Sequence, residues 1–222
     1  MGAQAARGRK TRERILAAAE PMVLGQGFAG TSLEDILKST GLTKGAFFHH
    51  FKGKDELASA LVERYAVNHY ALFEHLSAEA SAHSDDPLDA TIFFLKRFED
   101  FMGALAKPHA GCVFASYTHE HTQFEPAVRA FIAECLKRWA SLYEAKFNAL
   151  LAAYRPTIAV TAAELAEMIV SIIEGGLILS RSYGDSRLVA RQARQFRNYL
   201  ELLFAERHLQ TSRLPMQVSA AK

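Results

Sequence analysis

Two cysteines in 222 residues, Cys112 and Cys135, are too few to make a disulfide framework. No apolar run approaches the roughly 18–20 residues of a membrane helix, and the first residues lack a signal peptide's apolar stretch. A soluble, cytoplasmic protein is expected. Neither charge sign is in excess: 26 Lys+Arg stand against 24 Asp+Glu, a net +2, which excludes a generally basic nucleic-acid coat. No apolar–polar alternation is long enough to build a sheet, and no internal repeat occurs. P-loop, GxGxxG, GxSxG and His-Glu-x-x-His motifs are all missing, so no catalytic residue and no cofactor is expected.

What is present is apolar and helical in period. Half the residues are hydrophobic, enough for a real core at this length. The charge is unevenly spread. Residues 1–56 carry nine Lys/Arg and six Asp/Glu, the remainder seventeen and eighteen. The excess lies in Arg7, Arg9, Lys10, Arg12 and Arg14, which read as a flexible basic arm able to grip a nucleic-acid backbone or minor groove. A solvated terminus is the plainer alternative.

The most informative run is Thr31 to Leu57, TSLEDILKSTGLTKGAFFHHFKGKDEL. Thr31 with Glu34 predicts a capping box, and Leu33, Ile36 and Leu37 give the following short helix one buried face. Gly41 stands where the chain must leave that helix in a left-handed conformation. Thr43 can cap the next helix, whose first turn offers Lys44, Gly45 and Ala46. Small residues let a backbone approach DNA, and Lys44 can reach a phosphate or guanine edge. The layout is a helix-turn-helix that puts one helix in a major groove.

These residues resemble the DNA-binding domain of the TetR/AcrR family of bacterial transcriptional regulators. The resemblance is specific over about Thr11 to Leu57 and architectural beyond. It rests on Thr31 and Ser32, on Ile36 to Gly41, on Thr43-Lys44-Gly45, on Phe47-Phe48-His49-His50-Phe51, and on Lys54 and Leu57. One departure is Phe48: the family often has a tyrosine there whose hydroxyl bonds a phosphate, and Phe48 offers ring contacts only. The resemblance implies an all-α chain in which a three-helix DNA-binding domain precedes a helical ligand-binding and dimerisation domain. The expected limits are 1–54 and 55–208, with an unstructured tail over 209–222. Expected DNA contacts are Thr31, Ser32, Thr43, Lys44, Gly45, Ala46, Phe48, His49, His50, Lys52 and Lys54. Among these Lys44 and His49 would face base edges, and Thr43, His50 and Lys54 would hold phosphates.

Periodicity lays out the helices. Thr11 to Leu24 is the first, with Ile15, Ala18, Ala19 and Met22 inward, a bend at Pro21 and an end at Gly25 and Gly27. Phe28 is expected to plug the small three-helix core. A longer helix runs from Lys54 to about Leu76, and Ser81 to Pro87 reads as a polar loop. Helices are then expected over Leu88–Ala106, Gly111–His119, Pro126–Tyr154, Ala162–Ser182, with Glu174-Gly175-Gly176 interrupting its apolar run, and Leu188–Phe204.

The last two helices carry apolar stripes joined by a short loop, as a twofold four-helix dimer seam requires. Ile173, Leu177, Phe196, Leu200 and Leu203 are expected there, though both helices could instead pack within one chain. For a ligand pocket in the middle helices the candidates are Phe94, Phe98, Phe101, Cys112, Phe114, Tyr117, Trp139, Tyr143 and Glu174. Each aromatic could equally be core. Glu174 in an apolar stretch needs a partner, either a protein group or a polar ligand group. Cys112 near a helix start reads as an electrophile or redox sensor, or as a small buried hydrophobe. His109, His119, Glu120 and His121 lie close in sequence, but residues two apart point about 200° apart on a helix, so no metal site is expected.

Together these readings predict a dimeric repressor that binds double-stranded operator DNA and is released by a largely apolar small-molecule effector. The alternative is a helical small-molecule-binding protein whose N-terminal bundle docks a protein. The basic tip formed by Thr43-Lys44-Gly45, Lys52 and Lys54 argues against it, since a docking surface would expose apolar residues.

Overall fold

In the computed structural model, residues 2–205 are described, and among them every regular element is helical. The tail expected from Gln210 onward lies outside the described residues.

Helix α1 spans Gly2–Gly30, starting well before Thr11. Ala, Arg and Glu over this stretch are good helix formers. The Thr11 hydroxyl donates back to the Arg7 carbonyl at 3.1 Å, so Thr11 sits inside the helix rather than opening it. The flexible basic arm is therefore corrected: Arg7, Arg9, Lys10, Arg12 and Arg14 ride on a helix. Ile15, Leu16, Ala19 and Val23 are its buried face. The helix runs through the exposed Pro21 and departs from helical geometry at Gly27, with φ 79° and ψ 169°. Only glycine adopts that conformation without strain.

Helix α2 is Leu33–Thr40, capped by Ser32 in a box with Asp35, one residue later than expected. The reason is Thr31. It is buried, and its hydroxyl donates to the Gly27 carbonyl at 2.8 Å, turning the chain after the kink instead of capping. Gly41 is left-handed at φ 64°, and Thr43 caps α3, Lys44–His50, accepting from the Ala46 N–H at 3.2 Å. Ile36 is buried, with Leu33 and Leu37 packed beside it.

Helix α4, Lys54–His83, continues past Leu76 and shortens the polar loop to residues 84–86. Asp86 then caps α5, Pro87–Gly103, accepting from the Leu88 and Asp89 N–H groups, each at 2.9 Å. Next come α6, Val113–His119, a 3-10 turn His121–Gln123, and α7, Pro126–Ala153. Helix α8, Ala162–Tyr183, is capped by Thr161 with Glu164 and passes unbroken through Glu174-Gly175-Gly176. Helix α9, Leu188–Leu203, closes the fold.

Helix α5 packs on α4, α7 and α9, while α8 packs on α7 and α9. The nearly buried Glu99 of α5 pins α9, accepting from Arg194 at 2.7 Å. Arg64 of α4 pins α1 by pairing with Glu13 and Glu20.

The expected dimer residues turn inward. Ile173, Leu177, Phe196, Leu200 and Leu203 are all buried within the protomer. An amphipathic helix gives its strongest apolar stripe to its own core, so that stripe was read as the wrong face. The outward faces carry Met168, Ile178 and Leu179 on α8 and Leu202 on α9, which is 71% exposed.

Candidate functional site

Helix α3 is held from below. Phe47 and Phe51 are buried with ring centroids 5.5 Å apart, and the Arg12 guanidinium lies 5.2 Å above the Phe51 ring. What remains faces outward: Lys44, Gly45, Phe48, His49 and Lys52 are exposed, while Ala46 and His50 are half-buried. A Cβ at Gly45 would meet nothing within 4 Å, so no internal contact requires glycine there. Burial, then the charges of His49 and Arg12, hold His50 below its ordinary value, leaving a neutral ring at neutral pH. The first turns of α1 run beside this helix: a Cβ at Gly8 would stand 3.9 Å from His50 Cε1.

Two expected DNA contacts point elsewhere. The Thr31 hydroxyl is spent on Gly27 within the fold. The Lys54 ammonium donates to the Phe28 carbonyl at 3.2 Å and sits 4.8 Å over the Phe28 ring, so in the absence of DNA it closes the end of α1. Ser32 is engaged in its own cap, its hydroxyl 2.6 Å from Asp35 Oδ2.

Below the helix-turn-helix a cavity of about 330 Å³ lies among α1, α4, α5, α6, α7 and α8. Phe98, Phe101, Cys112, Phe114, Trp139 and Glu174 line it, as expected. Three expected residues do not. Phe94 and Tyr143 pack with Phe73 around a small adjoining cavity of about 30 Å³ that shares Phe98 and Trp139 with the first, and Tyr117 stacks on Phe124 at 4.7 Å near Phe28. Tyr117 thus faces the joint between α1 and α6. Glu20, Met102, His109, Asn68 and His69 were not expected here, and Tyr65 and Leu72, expected to point inward from the helix after Lys54, prove to line the cavity with Asn68 and His69 at helical spacing on α4. A histidine and an asparagine on that stripe were the available signal. Ile173 and Leu177, expected at the dimer seam, line the cavity.

The polar end of the cavity is unusual. Glu174 Oε1 is buried without a hydrogen-bond partner. Burial pushes this carboxyl up, opposed by a hydrogen bond with the Cys112 thiol. Burial, and then the Glu174 charge, push the Cys112 thiol up as well, so it is a thiol at neutral pH. That is the reverse of the electropositive setting of a reactive cysteine. His69 is held down at about 4 by burial and by neighbouring His109, which burial also lowers.

The sequence matches two family models. One, for bacterial regulatory proteins of the tetR family, covers residues 15–61; the other, for the LmrA/YxaF-like transcriptional regulator C-terminal domain, covers 87–195. The chain belongs to the TetR family. The HTH-type transcriptional repressor NemR of Escherichia coli is 38% identical over 76 residues, 34% of this chain and 38% of NemR's own length. The HTH-type transcriptional regulator LmrA of Bacillus subtilis is 29% identical over 177 residues, 79% of this chain and 89% of LmrA. In fold, a TetR-family regulator from Agrobacterium tumefaciens superposes with a TM-score of 0.73 at 21% identity, covering 86% of this chain and 98% of that one. Reduced NemR from E. coli superposes at 0.69 and 18% identity, covering 85% and 96%.

In this TetR-family chain the cavity wall and the helix-turn-helix meet at the α1 kink. Glu120, just beyond α6, accepts from the Phe28 and Ala29 N–H groups. Arg181 of α8 donates to the Leu24 carbonyl at 2.8 Å and to that of Ala110 at 3.0 Å. With Lys54 on Phe28, three elements grip one short segment. A second cleft of about 410 Å³ shares Cys112, Glu174 and Leu177 with the first and reaches Arg181 and Ile178. Among the described residues no His/Cys/Asp/Glu group is placed to hold a metal ion, and no helix is long and apolar enough to cross a membrane.

Proposed function

We propose that this chain is a dimeric, ligand-responsive DNA-binding repressor acting in the cytoplasm. The observation that carries the reading is the outward set Lys44, Gly45 and His49 on α3 with Lys52 just past its end, the helix being anchored from beneath by Phe47 and Phe51. Lys44 and His49 face base edges; Lys52, Thr43 and the basic side of α1 hold phosphates. Phe48 is the lone large hydrophobic exposed between residues 31 and 57, too little apolar surface for a protein-docking bundle.

The dimer forms through the outer faces of α8 and α9, placing two α3 helices in major grooves about 34–36 Å apart or somewhat more. An effector in the cavity touches Cys112 and Phe114 at the start of α6, whose far end meets Glu120. Moving α6 therefore moves the α1 kink, and with it the spacing of the two reading helices. The effector releases DNA only as far as it binds the released form more tightly.

The test is selection from random duplex DNA by the full chain, followed by fluorescence anisotropy. A partly palindromic consensus, bound by two protomers with steep salt dependence, is expected. Enrichment of no sequence would sink the proposal.

A further inference from the structure

The cavity has a charge imbalance. Its lining contains two carboxylates and no lysine or arginine. Glu20 pairs with Arg64 of α4, which it shares with Glu13. Glu174 has no such partner. Its Oε1 accepts nothing, and the thiol of Cys112 is a weak donor. The nearest guanidinium along α8, Arg181, is committed to the carbonyls of Leu24, Gly25 and Ala110. Neither histidine supplies positive charge, because burial keeps His69 and His109 neutral at physiological pH. A half-buried carboxylate whose Oε1 has no partner, and whose one side-chain donor is a thiol, is left under-satisfied by the protein itself. Five aromatic rings, Tyr65, Phe98, Phe101, Phe114 and Trp139, share the wall with aliphatic residues such as Leu72 and Ile173, and aromatic rings attract cations.

We infer that the cavity selects a flat aromatic amine in its protonated form, the ammonium donating to Glu174 and the ring lying against the aromatic wall. This deepens the reading of the cavity as the effector site and rests on it. An anion would meet an unbalanced carboxylate with no cation to receive it. A neutral aromatic would fill the apolar wall but bring no charge to balance Glu174, even where a hydroxyl donates to it. The volume, at the low end of the ~300–1,000 Å³ of small-molecule sites, suits two or three fused rings better than a long chain.

Three probes of one shape test this: naphthylmethylammonium, naphthylmethanol and naphthylacetate, titrated calorimetrically into the full chain without DNA. The ammonium should bind about tenfold or more tighter than the alcohol, and the acetate most weakly. Glu174→Gln should close the gap between ammonium and alcohol while the alcohol's own affinity holds. The same variant should melt no lower than wild type, because it removes a charge that has no partner. A merely structural Glu174 would lower the melting temperature and leave the ratio alone. Phe98→Ala should weaken ammonium and alcohol together. Equal binding of the three probes, or a gap surviving Glu174→Gln, overturns the inference. DNA release is scored separately. Ammonium-selective binding without release upholds the selectivity and counts against the regulatory reading alone. Release driven equally by the alcohol or acetate upholds the regulator and overturns the selectivity.

Discussion

Glu120 and Phe28 join the two halves of the molecule: the carboxylate, just past the end of α6, accepts the Phe28 N–H at 2.9 Å. Its other oxygen takes the Ala29 N–H at 2.7 Å, so one side chain caps the backbone freed by the Gly27 kink. A Cβ at residue 27 would collide with that same carboxylate. Glycine is thus required by its positive φ, and any side chain there would also push the Glu120 carboxylate off its two N–H partners.

Gly27→Ala should therefore cost about 1–3 kcal/mol from backbone strain plus the displaced carboxylate. Glu120→Ala should cost a similar ~1–3 kcal/mol by orphaning two N–H groups. The double variant should lose less than the two single losses combined, since the collision vanishes once the carboxylate is gone. Chemical denaturation of all four proteins measures the coupling, and strict additivity would mean that Glu120 does not confine residue 27. If the junction also transmits the effector signal, Glu120→Ala should keep DNA affinity within about threefold while blunting effector-driven release.

On DNA, Lys44→Ala should cost about 1–3 kcal/mol and relax preference at one base position. Lys52→Ala should weaken all sequences alike and lower the salt slope by about one. Lys54→Ala should act differently from both, lowering melting temperature by loosening Phe28, with little change in salt slope. Anisotropy titrations across salt on consensus and scrambled duplexes separate the three. A one-unit slope change for Lys54→Ala would return it to the phosphate contacts.

The reading head was legible because its signals are local. Thr43, Gly41 and the Ile36 face act within a few residues of themselves, and each lies where expected. The cap at Ser32 was displaced by a residue because Thr31 answers a carbonyl in the preceding helix. The contact of Lys54 was hidden for the same kind of reason: its partner Phe28 lies 26 residues away. In the second half the helices were legible and the direction of their faces was not. Leu200 and Leu202 look alike in sequence, yet one is fully buried and the other faces outward. Which apolar residue meets cavity, core or partner depends on how several helices cross, and periodicity gives only each helix's own stripe. Glu174 stood out because a carboxylate amid Ile and Leu is costly wherever the helices cross.

That difference between core and outer face makes an assembly prediction. Leu200→Glu would bury an unpaired charge in the protomer core, and should cost about 3–5 kcal/mol and destabilise the fold itself. Ile178→Glu and Leu202→Glu, on exposed positions, should leave melting of the protomer nearly intact yet give monomers with poor operator affinity. Sedimentation with circular dichroism distinguishes the cases. An intact dimer in both surface variants would move the interface off α8 and α9.

Acid should act on the cavity through His69 and Glu174 in opposite directions. His69 falls from an ordinary 6.5 to about 4 in the fold, so between those values the unfolded chain holds a proton that the folded one does not. Stability from this group is complete above about 6.5 and is lost as pH falls toward 4, by on the order of 3 kcal/mol. Glu174 is raised, so the folded state keeps a proton that the unfolded state releases, and its contribution declines as pH climbs above the ordinary 4.5. Denaturation midpoints taken from pH 7.5 to 4.5 resolve the two. His69→Gln should flatten the acid loss, whereas Glu174→Gln should gain most over wild type at the upper end of the range. A His69→Gln curve parallel to wild type would show that the ring is not buried neutral, and with it the cavity wall formed by Tyr65, His69 and Trp139 would have to be redrawn.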